Sequence, residues 1–210
     1  MGVSSRSNQI NFATPSTVQV FETPGTWTWN RPDKCVIVQV QLVGAGGGGS
    51  GYVESGGAGG YSEKYIDVTS IESVQVIVGS GGSATHYYGN SGDGGTSSFG
   101  IHLLATGGYG ANRNYQHEGG MGGLGSGGDI NLYGGKGSGH GSSNGSWGSN
   151  TGGRSYFGGG NGRRHSNNTD STGEQLAAPG TGGAGGVEGS YVGSQGRHGI
   201  VIVHEYYSGE

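Results

Sequence analysis

The stretch Cys35–Gly49, CVIVQVQLVGAGGGG, decides how the rest of the chain is read. Its first nine residues alternate. Val36, Val38, Val40 and Leu42 share one face and Gln39 and Gln41 the other, the period-two signature of a strand. The glycines that follow, Gly44-Ala45-Gly46-Gly47-Gly48-Gly49, fit the spacing G-x-G-x-x-G directly after a strand. That spacing binds a dinucleotide only where a helix starts and offers its N-terminus to the pyrophosphate. Here Ser50-Gly51-Tyr52-Val53-Glu54-Ser55-Gly56-Gly57 comes next, which cannot sustain a helix. Nor is there a phosphate loop at Gly134-Gly135-Lys136-Gly137, which lacks the upstream glycine and the following Ser/Thr. Nucleotide binding is excluded, and the glycines need another explanation.

Outward from this stretch, strand grammar recurs. Val18–Thr23 and Thr26–Trp29 alternate on either side of a Pro24-Gly25 turn. Tyr61–Val68, Val74–Val78, Ser97–Thr106 and Gly199–Tyr207 continue the pattern, and no segment has helical period with good helix formers. Short strands punctuated by turns predict an all-β fold, an antiparallel β-sandwich with essentially no α-helix.

Glycine supplies 54 of 210 residues, and each loses roughly 0.5–1 kcal/mol more backbone entropy on folding than alanine. Such a chain is either disordered or uses its glycines to bring backbones together. Disorder usually needs low hydrophobicity with high net charge, and here the net charge is only −4. In residues 107–198 glycine recurs every third position, as at Gly119, Gly122, Gly125 and Gly128 and again at Gly180, Gly183, Gly186 and Gly189. Three is the period of the polyproline-II helix. Collagen shares it but needs an unbroken repeat rich in proline, and this chain has 4 prolines. The segment is too long for an ordinary loop, carries many aromatics and is followed by a strand. The expectation is a large inserted glycine-rich array of polyglycine-II-like helices and loops at 107–198. The sandwich then comprises 18–106 plus 199–210, preceded by an attachment segment at 1–17.

Chemistry-bearing motifs are absent. The seven histidines, His86, His102, His117, His140, His165, His198 and His204, show no metal-ligand spacing. Gly92-Asp93-Gly94-Gly95 lacks the repeated acids of a calcium loop. No nucleophile elbow or flagged carboxylate pair is present, so neither an enzyme nor a cofactor or metal is expected. Cys35, the single cysteine, reads as a small core residue. With no polybasic run there is no nucleic-acid partner, and with no stretch near the roughly 18 apolar residues of a span there is no membrane insertion. Residues 1–12 do not form a secretory signal, so synthesis in a cytoplasm is expected and the two glycosylation sequons at Asn144 and Asn167 are empty matches.

What remains are aromatic and basic residues between the glycine runs: Tyr109, Tyr115, His117, Tyr133, Trp147, Tyr156, Phe157, Arg163, Arg164 and His165. Tyr and Trp among Ser, Gly and Asn give rigid contact area beside adaptable hydrogen-bonding groups, the composition of a recognition surface. For any one ring, capping the end of a glycine run is an equally open role.

In order along the chain, Gly25-Thr26-Trp27-Thr28, Val43–Gly49, Gly56-Gly57-Ala58-Gly59-Gly60-Tyr61-Ser62-Glu63-Lys64, Val76–Gly82, Gly94–Gly100, Ala105–Gly108 and Gly199–Val203 resemble the glycine-rich domain at the ends of bacteriophage tail fibres. More distantly, the glycine runs look like those of T-even-type fibre-tip adhesins, where stacked polyglycine-II helices hold variable loops. The resemblance implies a virion tail-fibre tip protein that recognises a host receptor, a bacterial surface glycan or an outer-membrane protein. It implies docking on other tail or fibre proteins and, by fibre symmetry, a homotrimer, with a monomeric tip as the alternative. A purely structural fibre or decoration protein is the second reading. The loop residues match no family motif, so their contacts are inferred from chemistry alone.

Overall fold

Alternation at Cys35–Val43 produces the longest strand among the described residues. The computed structural model describes residues 17–51, 54–86, 89–112, 118–139, 151–160, 177–186 and 192–208. Its strands are β1 (Thr17–Phe21), β2 (Gly25–Asn30), β3 (Cys35–Val43), β4 (Tyr61–Asp67), β5 (Ser73–Val78), β6 (Ser97–Phe99), β7 (Leu103–Ala105), β8 (Gly125–Ser126), β9 (Ile130–Leu132) and β10 (Ile200–Tyr207). The described residues include no helix. Two five-stranded sheets form, in the orders β1-β10-β3-β4-β9 and β2-β5-β6-β7-β8, and every pairing is antiparallel.

The two sheets share one apolar core, an arrangement that fits a β-sandwich. Val38, Val40, Leu42, Val201 and Val203 come from the first sheet; Trp29, Val74, Val76, Val78, Phe99 and Leu103 come from the second. Trp29 and Phe99 meet at 5.7 Å between ring centroids. Cys35 is fully buried among them, and burial pushes its thiol pKa up, so it is an inert core residue.

One expected strand is corrected. Ser97–Thr106 is not one strand but the hairpin β6–β7, because Gly100 takes a left-handed φ of 53° that turns the chain. The glycine packing, drawn as an insert at 107–198, has its most surrounded runs at 44–50 and 55–60. Strands β8 and β9 also fall within the region set aside for it.

The backbone bonds of 44–50 have a regular order. N–H groups of Gly44 and Gly47 donate to Gly60 and Gly57, those of Ala45 and Gly48 to Gly95 and Gly92, and those of Gly46 and Gly49 to Arg197 and Ser194. Its carbonyls accept with the same phase. Ala45 and Gly48 receive Gly108 and Ala111, Gly46 and Gly49 receive Gly82 and Thr85, and Gly47 and Ser50 receive Gly183 and Gly186. Residues three apart therefore face the same neighbour, and six runs surround the central one. Residues 55–60 repeat the scheme, donating in turn to Ser138 and Gly135, Gly183 and Gly180, and Tyr109 and Thr106. This satisfies buried backbone polar groups without helix or sheet. It also needs glycine: a Cβ on Gly46 would lie 1.9 Å from the carbonyl oxygen of Thr181.

Candidate functional site

Backbone holds this packing together, and several of the larger side chains that interrupt it project outward. Tyr109 illustrates the rule. Its N–H donates to Met121 and its carbonyl accepts Gly57, so its backbone is fixed against the inner runs. Its side chain is left 57% exposed, and that of Met121 58%. Leu124 and Lys136, two other residues set between glycines, are also exposed. Tyr133 follows β9 in an isolated bridge with Leu124 and is 78% exposed.

Tyr156 and Phe157 behave differently. They sit in the turn closed by the Ser155–Gly158 bridge and pack on Tyr61, which is buried at the start of β4. Tyr156 stacks on Tyr61 at 3.7 Å and 15°, and Phe157 meets it edge-on at 6.1 Å and 85°. These two rings roof the end of the first sheet, although Tyr156 keeps about half its surface in solvent. Tyr115, His117, Trp147, Arg163, Arg164 and His165 lie outside the described residues.

Beneath that roof, the outward face of the first sheet carries a polar cluster. Tyr61 donates to Glu63 at 2.5 Å, Gln39 donates to Glu63 at 2.6 Å, and Gln41 donates to both residues at 3.0–3.3 Å. The Tyr61 bond is the main cause holding the Glu63 carboxyl below its usual range, helped by Gln39, Gln41 and the His204 charge. Burial, then the Glu63 bond and charge, push the Tyr61 phenol well above its ordinary value. The cluster is a hydrogen-bond network centred on the Glu63 carboxylate.

Two cavities of about 420 Å³ accompany these surfaces. The first lies between the runs 90–93, 109–112 and 118–121 and is lined by Asn90, Asp93, Tyr109, Asn112, Glu118 and Met121, among others. The backbone N–H of Gly110 donates to Asp93 at 2.8 Å, and Lys136 pairs with Glu118 at 2.6 Å. Of these lining residues, sequence reasoning singled out Tyr109 as a contact. The acids and amides come together because glycine runs distant in sequence lie side by side.

The second cavity lies between Glu22–Pro24, Pro179 and 197–199. His198 stands at its rim, where its Nδ1 accepts the N–H of Gly81 at 3.0 Å. Partial burial of the ring, then the charge of Arg197, lower its pKa from the usual 6.5. A histidine whose folded pKa is lowered binds protons in the unfolded chain first. Its contribution to stability is complete above about pH 6.5 and is lost as pH falls below that value. Urea unfolding of the parent is expected to show a stability loss between pH 7.5 and 5.5 that is shallower in His198→Gln. Superimposable pH profiles refute this.

Among the described residues, no group of three or more His, Cys, Asp or Glu could hold a metal ion. No individual curated protein matches the chain. A family model described as a glycine-rich domain matches residues 22–206, nearly the whole of it.

Proposed function

The chain belongs to the glycine-rich domain family, and from that premise we propose that it is a phage tail-fibre tip protein that binds a receptor on the bacterial surface. In this reading the three-phase runs are polyglycine-II-like helices, and the bulky residues that interrupt them meet a host glycan or outer-membrane protein. The protein would dock on other fibre components of the virion, as a homotrimer or as a monomeric tip.

The observation that carries the reading is where bulky residues end up. In a scaffold held by backbone bonds, large exposed side chains are not required for folding. Yet Tyr109, Met121 and Tyr133 stand out from it on fixed backbone. Rigid aromatic side chains on a preorganised support bind at low entropic cost.

The test is adhesion. Fluorescently labelled protein is expected to bind a narrow subset of a panel of bacterial strains, saturably and in competition with unlabelled protein. Binding to none of the strains, or equal binding to all, sinks the adhesin reading. It would leave the second reading, in which the same rigidity serves only virion structure.

A further inference from the structure

The geometry points to the groove between the runs 90–93, 109–112 and 118–121 as the seat of one uncharged sugar unit, a neutral hexose or N-acetylhexosamine of a surface glycan. The inference rests on the adhesin reading and specifies its ligand and its site.

A sugar ring has an apolar C–H face and a rim of hydroxyls, so its site needs an apolar wall beside fixed acceptors and donors. The backbone bond from Tyr109 to Met121 ties those two residues together, and both line the groove and are more than half exposed. They supply the wall. Asn90, Asp93, Asn112 and Glu118 supply the rim from all three runs. The floor is the backbone of Gly110, Gly119 and Gly120. It is held in place: Gly120 donates to Ser55 and accepts from Gly137, and Gly110 donates to Asp93. A volume of about 420 Å³ falls within the range of small-molecule sites and admits a sugar ring with ordered water.

Charge narrows the choice. Two carboxylates line the groove, which disfavours uronic and sialic acids. Lys136 already meets the charge of Glu118, which weakens the case for a cationic ligand. An ionised carboxylate has about four acceptor positions, so acceptor capacity remains on both acids for neutral hydroxyls. A folded protein receptor would need about 800 Å² of contact per partner, for which this recess is small.

The test titrates the full chain with glucose, galactose and N-acetylglucosamine, and with glucuronic acid and glucosamine as charged controls. Saturation-transfer NMR and calorimetry give the readout. At least one neutral sugar is expected to bind with a Kd in the millimolar range, roughly ten-fold tighter than either charged control. Tyr109→Ala should weaken it roughly ten-fold with an unchanged melting temperature, whereas Tyr109→Phe, which keeps the ring, should stay within about three-fold. Glu118→Gln controls for the acid and should weaken binding by a smaller factor than Tyr109→Ala.

Failure of all three neutral sugars to bind, binding that survives Tyr109→Ala, or preference for a charged sugar overturns the groove assignment. If cells are still bound, and protease treatment of the cells removes that binding, the adhesin reading survives with a protein receptor. Sugar binding lost in Tyr109→Ala, in a protein that adheres to no cell, upholds the groove and overturns the adhesin reading.

Discussion

Gly46→Ala is expected to lose at least about 3 kcal/mol of stability, while Gly159→Ala melts with or slightly above the parent. The two substitutions are chemically identical and differ only in surroundings. At Gly46 the new Cβ would lie 1.9 Å from the Thr181 carbonyl oxygen and 2.4 Å from its carbon. Both are backbone atoms, so no rotamer change relieves the clash. The run must move, and its bonds to Arg197 and from Gly82 stretch with it. Overpacking costs about 1–3 kcal/mol and each weakened hydrogen bond about 1 more. In a chain of this size the melting temperature should fall by roughly 10 °C. At Gly159 nothing lies within 4 Å of the added methyl. There the substitution only restricts the unfolded chain, a gain of up to about 1 kcal/mol. Differential scanning calorimetry on both variants decides the matter, and equal melting temperatures would show that the runs are not closely packed in solution.

The second large effect is expected at Glu205, a buried acid on β10 facing the shared core. Trp29 of the opposite sheet donates its indole N–H to Oε1 at 2.8 Å, and Gln19 of β1 donates there at 2.7 Å. Thr17 donates to Oε2 at 2.5 Å, with the Tyr207 hydroxyl 3.1 Å from the same oxygen. Glu205→Ala leaves the indole N–H of the fully buried Trp29 facing a void with no access to water, whereas the exposed Thr17 and the half-buried Gln19 and Tyr207 can turn to solvent. That stranded donor costs about 1–3 kcal/mol and the cavity left by the truncated side chain adds to it, so a loss of about 3 kcal/mol should appear as a lower urea midpoint. Combining Glu205→Leu with Trp29→Phe should recover part of the loss, because it removes the one fully buried donor together with its acceptor. A double variant no better than the sum of its singles would refute the pairing of these two groups.

The strands that bury one face were readable from alternation: Cys35–Val43, Tyr61–Asp67 and Ile200–Tyr207 stand close to where the pattern put them. Alternation gave no sign of which face turns inward. Val18 and Val20 share a face as expected, but it is the outward face, because β1 pairs with β10 so that Gln19 and Thr17 reach Glu205. β8 and β9 were missed because they are two and three residues long, and β9 is exposed throughout. Glu205 drew no attention since its importance arises from a tryptophan 176 residues away. Of the candidate contacts, Tyr109 and Tyr133 stand free, Tyr156 and Phe157 roof Tyr61, and the groove's acids could be found only once the runs were assembled.

The order of the bonds around residues 44–50 has a consequence for how such a chain can change. Each successive N–H points to a different neighbour, and only the fourth returns to the first. One residue gained or lost inside a run would turn everything beyond it by a third of a revolution and set each amide against the wrong partner. Three residues gained or lost would keep the phase. Side chains that project from the runs, as at Tyr109 and Met121, are under no such arithmetic. The chain thus contains a counted backbone and an uncounted set of outward side chains, and its outer surface can be rewritten in composition while the counting beneath is left untouched.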